Sequence, residues 1–108
     1  LDPSILEWLT QNHQACLDRN LSQVTEITER CLSLKSKIVD ADLYDQDIRV
    51  ILNFGHTVAH ALETASHHSL NHGEAVAIGL LTELSISTQF GLDSDLLPQT
   101  RSLLQSFG

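Results

Sequence analysis

Apolar residues recur along this chain at intervals of three and four, the spacing that places side chains on one face of an α-helix. The clearest series repeats at gaps of 3, 4, 3 and 4 and consists of Val24, Ile27, Cys31, Leu34 and Ile38. We interpret this series as a stripe of core packing. No segment alternates between apolar and polar residues with a period of two, and no Asn-Gly hairpin turn occurs. The pattern therefore predicts an all-α fold.

Residues that commonly cap helices mark where the helices begin in the first half of the chain. Asp2 precedes a proline, as an N-cap precedes the first helical position, and it opens a first helix that ends at residues 18–20. Asn20 and Gln23 resemble a capping box, in which each residue bonds to the backbone of the other, and they open a second helix. An acidic loop at residues 40–47 follows.

Capping signals also mark the second half. A third helix is predicted over about residues 48–66, with Asp47 as its cap. Asn71 and Glu74 form an N-x-x-E capping box that starts a fourth helix, which ends at Gly91.

A short fifth helix, at about residues 98–107, completes one helical domain of about five helices over residues 1–108. The fourth helix carries small residues in close order: Gly73, Ala75, Ala77 and Gly79. Such residues allow another backbone to approach closely, so we expect tight packing of the fourth helix against the third.

The predicted third helix carries a stripe of polar residues in an otherwise apolar segment. At about 100° per residue they share an arc of roughly 120°. They follow one another at gaps of 4, 3, 4, 3 and 4: Arg49, Asn53, His56, His60, Glu63 and His67. Solvent-exposed faces are the ordinary explanation, but they are usually rich in Lys and Glu, and this stripe has no lysine. We favour a polar cavity that binds an anion or a metal ion.

His56 and His60 have the spacing of H-x-x-x-H zinc sites. That spacing alone is weak evidence, because a chain with six histidines forms such pairs by chance. His72 strengthens it, since a short connection lets the first turn of the fourth helix fold back towards the third. Glu74 is explained by its capping role. Glu63, two turns from His56, is not expected to reach His72. The remaining histidines are interpreted as surface residues: His13, His67 and His68.

Composition narrows the classes of function. The chain has 6 Lys and Arg against 14 Asp and Glu, a formal net charge of −8. Nucleic acids and anionic membranes attract basic surfaces, so neither is an expected partner. Cys16 and Cys31 lack a CxxC spacing and are expected to be free, half-buried thiols in a reducing cytosol, which predicts a cytoplasmic protein. The chain starts at Leu1 and has no methionine, so we expect a fragment.

Two neighbouring motifs resemble a known family. RVILNFGHTVAHALE at residues 49–63, followed by HGEAVAIGL at residues 72–80, is similar to the signature of 3-dehydroquinate synthase and related sugar-phosphate cyclases. The resemblance includes KSKIVDADLYDQDIR at residues 35–49 and covers the chain as part of that family's C-terminal helical domain. It implies a shikimate-pathway lyase that uses NAD and Zn²⁺ or Co²⁺. That lyase converts 3-deoxy-D-arabino-heptulosonate 7-phosphate into 3-dehydroquinate and phosphate.

The resemblance also implies roles for individual residues. The family's metal-binding histidines match His56 and His72, and its catalytic, substrate-site histidine matches His60. The other substrate-contacting residues match Lys35, Arg49 and Asn53. The family's α/β NAD-binding domain and a third metal ligand, a glutamate, precede the matched region, so no NAD-binding residue is expected here. The full-length enzyme is expected to be a homodimer that acts on a phosphorylated sugar acid.

Some positions depart from the family pattern and leave alternatives open. Asp47 and Ala59 each replace a common glycine, and residues 64–71 lack the usual glycine-aromatic pattern. Related cyclases, such as 2-deoxy-scyllo-inosose synthase, therefore stay open. Metal-dependent alcohol dehydrogenases, such as glycerol dehydrogenases, are a second enzyme class, although the Arg-x-x-x-Asn-x-x-His series favours a phosphorylated, carboxylated substrate. A non-catalytic helical interaction or metal-storage module is the alternative outside enzymes.

Overall fold

In the computed structural model, which describes residues 2–67 and 69–108, the regular structure is helical. The α-helices are α1 (Pro3–Leu17), α2 (Leu21–Ala41), α3 (His56–Ala65), α4 (His72–Ser87) and α5 (Leu96–Phe107). Two 3₁₀ helices, Ile48–Asn53 and Thr88–Phe90, precede α3 and follow α4. The described residues contain no strand, which confirms the all-α prediction. None of the described helices is long and apolar enough to cross a membrane.

The chain divides into two compact units. The first contains the residues up to Val50 together with Gln105–Gly108, and the second is Ile51–Leu104. Helix α1 packs against α2 in the first unit, and α3 packs against α4 in the second. The three histidines of the two sequence motifs therefore all belong to the second unit.

The N-caps of α1 and α2 are those that the sequence predicts. Asp2 accepts a hydrogen bond from the backbone N–H of Ser4 at 3.0 Å, and Asn20 accepts one from Ser22 at 3.1 Å. The predicted capping box between Asn20 and Gln23 is wrong, because Asn20 accepts from Ser22 rather than from Gln23. The side-chain oxygen of Gln23 is buried and has no hydrogen-bond partner among the described residues, so it does not bond back to Asn20.

The apolar stripe of α2 is not the core that its spacing predicts. Ile38 is its only buried member. Val24 and Cys31 are exposed, while Ile27 and Leu34 are half-buried. Within the first unit α1 is the helix that packs on α2, and one partner helix covers only part of a stripe of this length.

The predicted third helix is two separate segments. The 3₁₀ helix Ile48–Asn53 ends in a turn at Phe54 and Gly55, and α3 begins at His56. Gly55 has a φ of +86°, a left-handed conformation that the interior of an α-helix excludes and that glycine adopts readily. The continuous helix predicted over residues 48–66 is therefore wrong, because Gly55 ends one helical register before α3 starts another.

Asp42, rather than the predicted Asp47, holds the start of the first 3₁₀ helix. The Asp42 carboxylate accepts backbone N–H bonds from Gln46 at 3.0 Å, Asp47 at 2.8 Å and Arg49 at 3.1 Å. These bonds, led by the one from Gln46, lower the pKa of Asp42 below its usual value of 3.8. The loop thus depends on an ionised carboxylate that lies up to seven residues before its donors.

Replacing Asp42 with alanine should speed amide hydrogen exchange at Gln46, Asp47 and Arg49, because all three lose their common acceptor. Asp47→Ala is the matched control and should leave the amides of Gln46 and Arg49 protected.

The stabilisation by Asp42 should also depend on pH. In the unaltered chain the folded-state pKa of Asp42 is depressed, so the stabilisation is complete above pH 3.8 and is lost as the pH falls through the folded-state value. NMR-detected hydrogen exchange measures the protection of these amides. Equal protection of Gln46 and Arg49 in the Asp42→Ala and Asp47→Ala variants would show that Asp42 does not hold the loop.

Small residues allow α3 and α4 to approach closely. Ala59 of α3 and Ala75 of α4 are both 0% exposed. A Cβ on Gly79 would collide with the carbonyl group of Gly55 and lie 3.2 Å from the backbone nitrogen of Ala59. The expected close packing of the fourth helix against the third is confirmed, because the Gly79 backbone occupies space that a side chain would need.

Helix α4 begins and ends close to its predicted bounds. Asn71 accepts the backbone N–H of Glu74 at 3.0 Å, and the Glu74 carboxylate accepts that of Asn71 at 3.1 Å, which confirms the capping box. The chain continues as a 3₁₀ helix to Phe90, and Gly91, with a φ of +94°, ends it. Helix α5 begins at Leu96, slightly earlier than predicted.

Candidate metal and substrate site

Three imidazole rings gather between α3 and the first turn of α4. The ring centroids of His56 and His72 are 5.5 Å apart, those of His56 and His60 are 5.7 Å apart, and those of His60 and His72 are 6.5 Å apart. We call these three residues the histidine cluster. His56 is half-buried, while His60 and His72 are exposed, so an ion or a small molecule can reach the cluster from solvent.

Helix positions and backbone packing bring these rings together. His56 is the first residue of α3, and His60 follows one turn later on the same side of that helix. His72 is the first residue of α4. Because Gly79 lies against the backbone of Gly55, the two helices are close enough for rings from both to meet.

In the closest pair, each histidine has one ring nitrogen engaged. His72 Nδ1 lies 3.1 Å from Glu63 Oε1, and His56 Nδ1 lies 3.4 Å from the carbonyl oxygen of Phe54. An ionised carboxylate and a backbone carbonyl only accept hydrogen bonds, so Nδ1 is the donor in both contacts. In a neutral imidazole with this tautomer, Nε2 carries the free lone pair and is available to a metal ion.

The contact between Glu63 and His72 contradicts the expectation that Glu63 does not reach that histidine. Only residues 66–71 connect α3 to α4, so the first turn of α4 lies close to the C-terminal half of α3, where Glu63 is. The Glu63 side chain is 19% exposed, whereas that of His72 is 60% exposed. Glu63 is thus the more enclosed partner of the pair.

The spacing of two rings in the cluster can be compared with that of two imidazoles bound to one metal ion. Two imidazoles bound through nitrogen at about 2.0–2.1 Å in a tetrahedral arrangement have ring centroids about 5 Å apart. The His56–His72 separation of 5.5 Å is close to that value. Within residues 2–67 and 69–108, no three His, Cys, Asp or Glu side chains form a complete metal site. The assignment of His56 and His72 as metal ligands stays a prediction.

The other predicted substrate residues divide between the two units. Lys35 is exposed on α2 and Arg49 is half-buried in the first 3₁₀ helix, and both belong to the first unit. Arg49 Nη1 donates to the carbonyl oxygen of Leu43 at 3.3 Å. Asn53 is exposed and belongs to the second unit, as the histidine cluster does. The substrate-binding roles of Lys35, Arg49 and Asn53 stay predictions.

The polar stripe predicted from Arg49 to His67 is wrong as a single helical face. Its spacing assumes 3.6 residues per turn, but Arg49 and Asn53 lie in a 3₁₀ helix, which has about three residues per turn. Gly55 then resets the register, and His67 follows the end of α3 with a φ of +52°. Residues 56–63 are the part of the stripe that one α-helix carries.

Glu83 is a candidate residue that the sequence interpretation misses. Its Oε2 accepts the backbone N–H of Gly55 at 2.7 Å and so fixes the turn that precedes His56. Its Oε1 is buried and has no hydrogen-bond partner among the described residues. The sequence contains a signal, because Glu83 is the only charged residue between Ala75 and Ser87. A carboxylate in such an apolar helix requires a polar partner when it is buried.

Two of the surface and thiol assignments need correction. His13 is half-buried, not a plain surface residue, and its ring meets a phenylalanine near the end of α5 edge-on, with centroids 6.3 Å apart. His67 is exposed as expected, and His68 lies outside the described residues. Both cysteines are free, but only Cys16 is half-buried, because Cys31 faces solvent on α2.

Comparison with known proteins finds similarity along the whole length of this chain. Residues 1–108 match the family described as 3-dehydroquinate synthase C-terminal. The 3-dehydroquinate synthase of Clostridium tetani is 38% identical over 109 residues, which are 100% of this chain and 29% of that protein. The 3-dehydroquinate synthase of Pyrobaculum aerophilum is 41% identical over 99% of this chain and 31% of that protein. The one of Paenarthrobacter aurescens is 37% identical over 99% of this chain and 30% of that protein. No solved structure matches the chain significantly.

The chain spans about 30% of the length of these curated relatives. The family match nevertheless covers both histidine motifs and every helix of the structure. From its first residue to its last, this chain therefore belongs to the 3-dehydroquinate synthase C-terminal family.

Proposed function

We propose that this chain is the metal- and substrate-binding domain of a 3-dehydroquinate synthase, an NAD- and metal-dependent lyase of the shikimate pathway. The enzyme would convert 3-deoxy-D-arabino-heptulosonate 7-phosphate into 3-dehydroquinate and phosphate, as a cytoplasmic homodimer. The observation that carries the proposal is the histidine cluster, in which three rings from two sequence motifs lie within 6.5 Å of one another. The names of the relatives support this choice of reaction.

His56 and His72 would hold a Zn²⁺ or Co²⁺ ion through their Nε2 atoms. Their rings are the closest pair of the cluster, and both Nδ1 atoms are engaged by other groups. With metal and NAD bound, the chemistry supplied is polarisation of a substrate hydroxyl and reversible acceptance of a hydride. The family resemblance implies that the third metal ligand and the NAD site lie in a region that precedes these residues.

The remaining polar residues would act on the substrate. His60 is exposed and lies one turn beyond His56, so its ring can exchange a proton with a molecule bound beside the metal ligands. Arg49 carries a planar fork of N–H donors that suits a carboxylate or a phosphate, and Lys35 offers a point charge to the same groups. The Asn53 amide can both donate to and accept from substrate hydroxyls.

Phosphate release tests this function directly. The full-length protein should release inorganic phosphate from 3-deoxy-D-arabino-heptulosonate 7-phosphate when NAD and Zn²⁺ or Co²⁺ are present, and should release none when NAD is omitted. The 108-residue chain alone should give the circular dichroism spectrum of a helical protein yet release no phosphate. The reason is that the NAD site and the third metal ligand are expected outside it.

Other outcomes identify the alternatives. Appreciable turnover by the 108 residues alone would contradict the proposed division of the site. Oxidation of glycerol by NAD, without phosphate release, would indicate an alcohol dehydrogenase. Conversion of a different sugar phosphate would indicate a related cyclase, such as 2-deoxy-scyllo-inosose synthase. Bound metal with no turnover on any of these substrates would indicate a metal-storage module.

A further inference from the structure

The Glu63–His72 contact joins a constrained carboxylate to a ring that is otherwise free to move. The side chain of His72 is 60% exposed at the first position of α4, so packing alone does not fix its orientation. The Glu63 side chain is 19% exposed and projects from α3. Its Oε1 lies 3.1 Å from His72 Nδ1, within hydrogen-bond distance. The enclosed carboxylate is therefore placed to orient the exposed ring.

We infer that Glu63 is a positioning residue that holds Nδ1–H of His72 and thereby directs Nε2 of His72 towards the metal position beside His56. This inference rests on the proposed metal site. Histidines that bind metals commonly donate their second ring N–H to a carboxylate, which fixes the tautomer and makes the metal-binding nitrogen more basic. The His56–His72 centroid separation of 5.5 Å fits a ring held in this orientation.

A plain surface ion pair is the competing explanation of the contact, and such pairs contribute little. Two features of the structure argue against it. Glu63 and His72 are on different helices, which the packing of Gly79 against Gly55 holds close together. The Glu63 side chain is largely enclosed, so only one of the two partners is mobile. The other carboxylate near His72 in sequence, that of Glu74, is already engaged with the backbone of Asn71.

The tautomer of His72 in the metal-free, full-length protein tests the contact itself. In ¹⁵N-histidine NMR spectra at a pH well above the ordinary histidine pKa of about 6.5, His72 should carry its proton on Nδ1. Glu63→Ala should move the proton to Nε2 in most molecules. Glu74→Gln is the matched control, because it also removes one negative charge near His72, and it should leave the proton on Nδ1.

Cobalt affinity tests the consequence for the metal. Titration followed by visible absorption should show that Glu63→Ala weakens Co²⁺ binding by about 10- to 100-fold. The absorption bands should keep their positions, since the ligand atoms are unchanged. Glu63→Gln, which preserves the shape, should weaken binding less, and Glu74→Gln should not weaken it. Far-UV circular dichroism of each variant confirms that the helices are intact.

The outcomes separate this inference from the proposed function. A wild-type protein that binds cobalt while His72 carries its proton on Nε2 overturns the role of Glu63 and leaves the metal site standing. Equal weakening by Glu63→Gln and Glu74→Gln indicates a general charge effect and also overturns it. If Glu63→Gln removes cobalt as completely as His56→Ala does, Glu63 is a direct ligand rather than a positioning residue. A wild type that binds no cobalt contradicts the proposed metal site and the inference together.

Discussion

Replacing His56 or His72 with alanine in the full-length protein should remove its bound metal and reduce its turnover to background. Both residues would contribute a nitrogen ligand, and three-ligand sites lose most of their affinity when one ligand is removed. His60→Ala should behave differently, because this ring is expected to act on the substrate rather than on the metal. It should retain the metal while turnover falls by about 10²- to 10⁴-fold, the usual contribution of a general acid or base.

Two measurements on the same samples test this prediction: the metal content, by elemental analysis, and the rate of phosphate release. His67→Ala is the matched control, since this exposed histidine follows the end of α3 and should change neither quantity. Metal loss in His60→Ala equal to that in His56→Ala would make His60 a ligand. Full metal retention in both His56→Ala and His72→Ala would reject the metal assignment.

Replacing Gly79 with alanine should lower the free energy of unfolding by about 1–3 kcal/mol or more, the cost of overpacking a close contact. The added Cβ would collide with the carbonyl group of Gly55 and would stand 3.0 Å from its carbonyl carbon. Both obstructing atoms belong to the backbone, so no side-chain rotation relieves the collision. Helices α3 and α4 would have to separate, which would also disperse the histidine cluster.

Gly73→Ala provides the matched control on the same helix. A Cβ at Gly73 meets only the side-chain oxygen of Asn71, at an ordinary contact distance of 3.6 Å. Because alanine favours helix more than glycine does, this variant should be unchanged or more stable by up to about 1 kcal/mol. Urea unfolding followed by circular dichroism compares the two variants. If Gly79→Ala were as stable as Gly73→Ala, the close approach of α3 and α4 would be incorrect.

The starts of three helices were predictable because their hydrogen bonds are local. Asp2, Asn20 and Asn71 each accept a backbone N–H from two or three residues further along the chain. Residue type and spacing in such a short window therefore contain most of the necessary information. The break in the predicted third helix also had a local signal, which is Gly55. The helical spacing of apolar and polar residues continues across Gly55, however, so the spacing predicts one unbroken helix.

The sequence alone also indicated the family and the histidines of the candidate site, because the two motifs and their interval are continuous stretches of chain. It overestimated the core of α2, since periodicity shows which face is apolar but not how much of that face another helix covers.

Only the tertiary structure decided which polar side chains support the candidate site. Glu83 and Gly55 are 28 residues apart, and Glu63 and His72 are nine residues apart across a change of helix. Both contacts depend on how closely α3 approaches α4, and that distance is fixed by the backbone contact at Gly79. The periodicity of a sequence shows which residues are neighbours on one helix, but it does not give the distance between two helices. The chain by itself therefore determined its all-α class, its family and the histidines of its motifs, and the packing of α3 on α4 determined which carboxylates lie beside them.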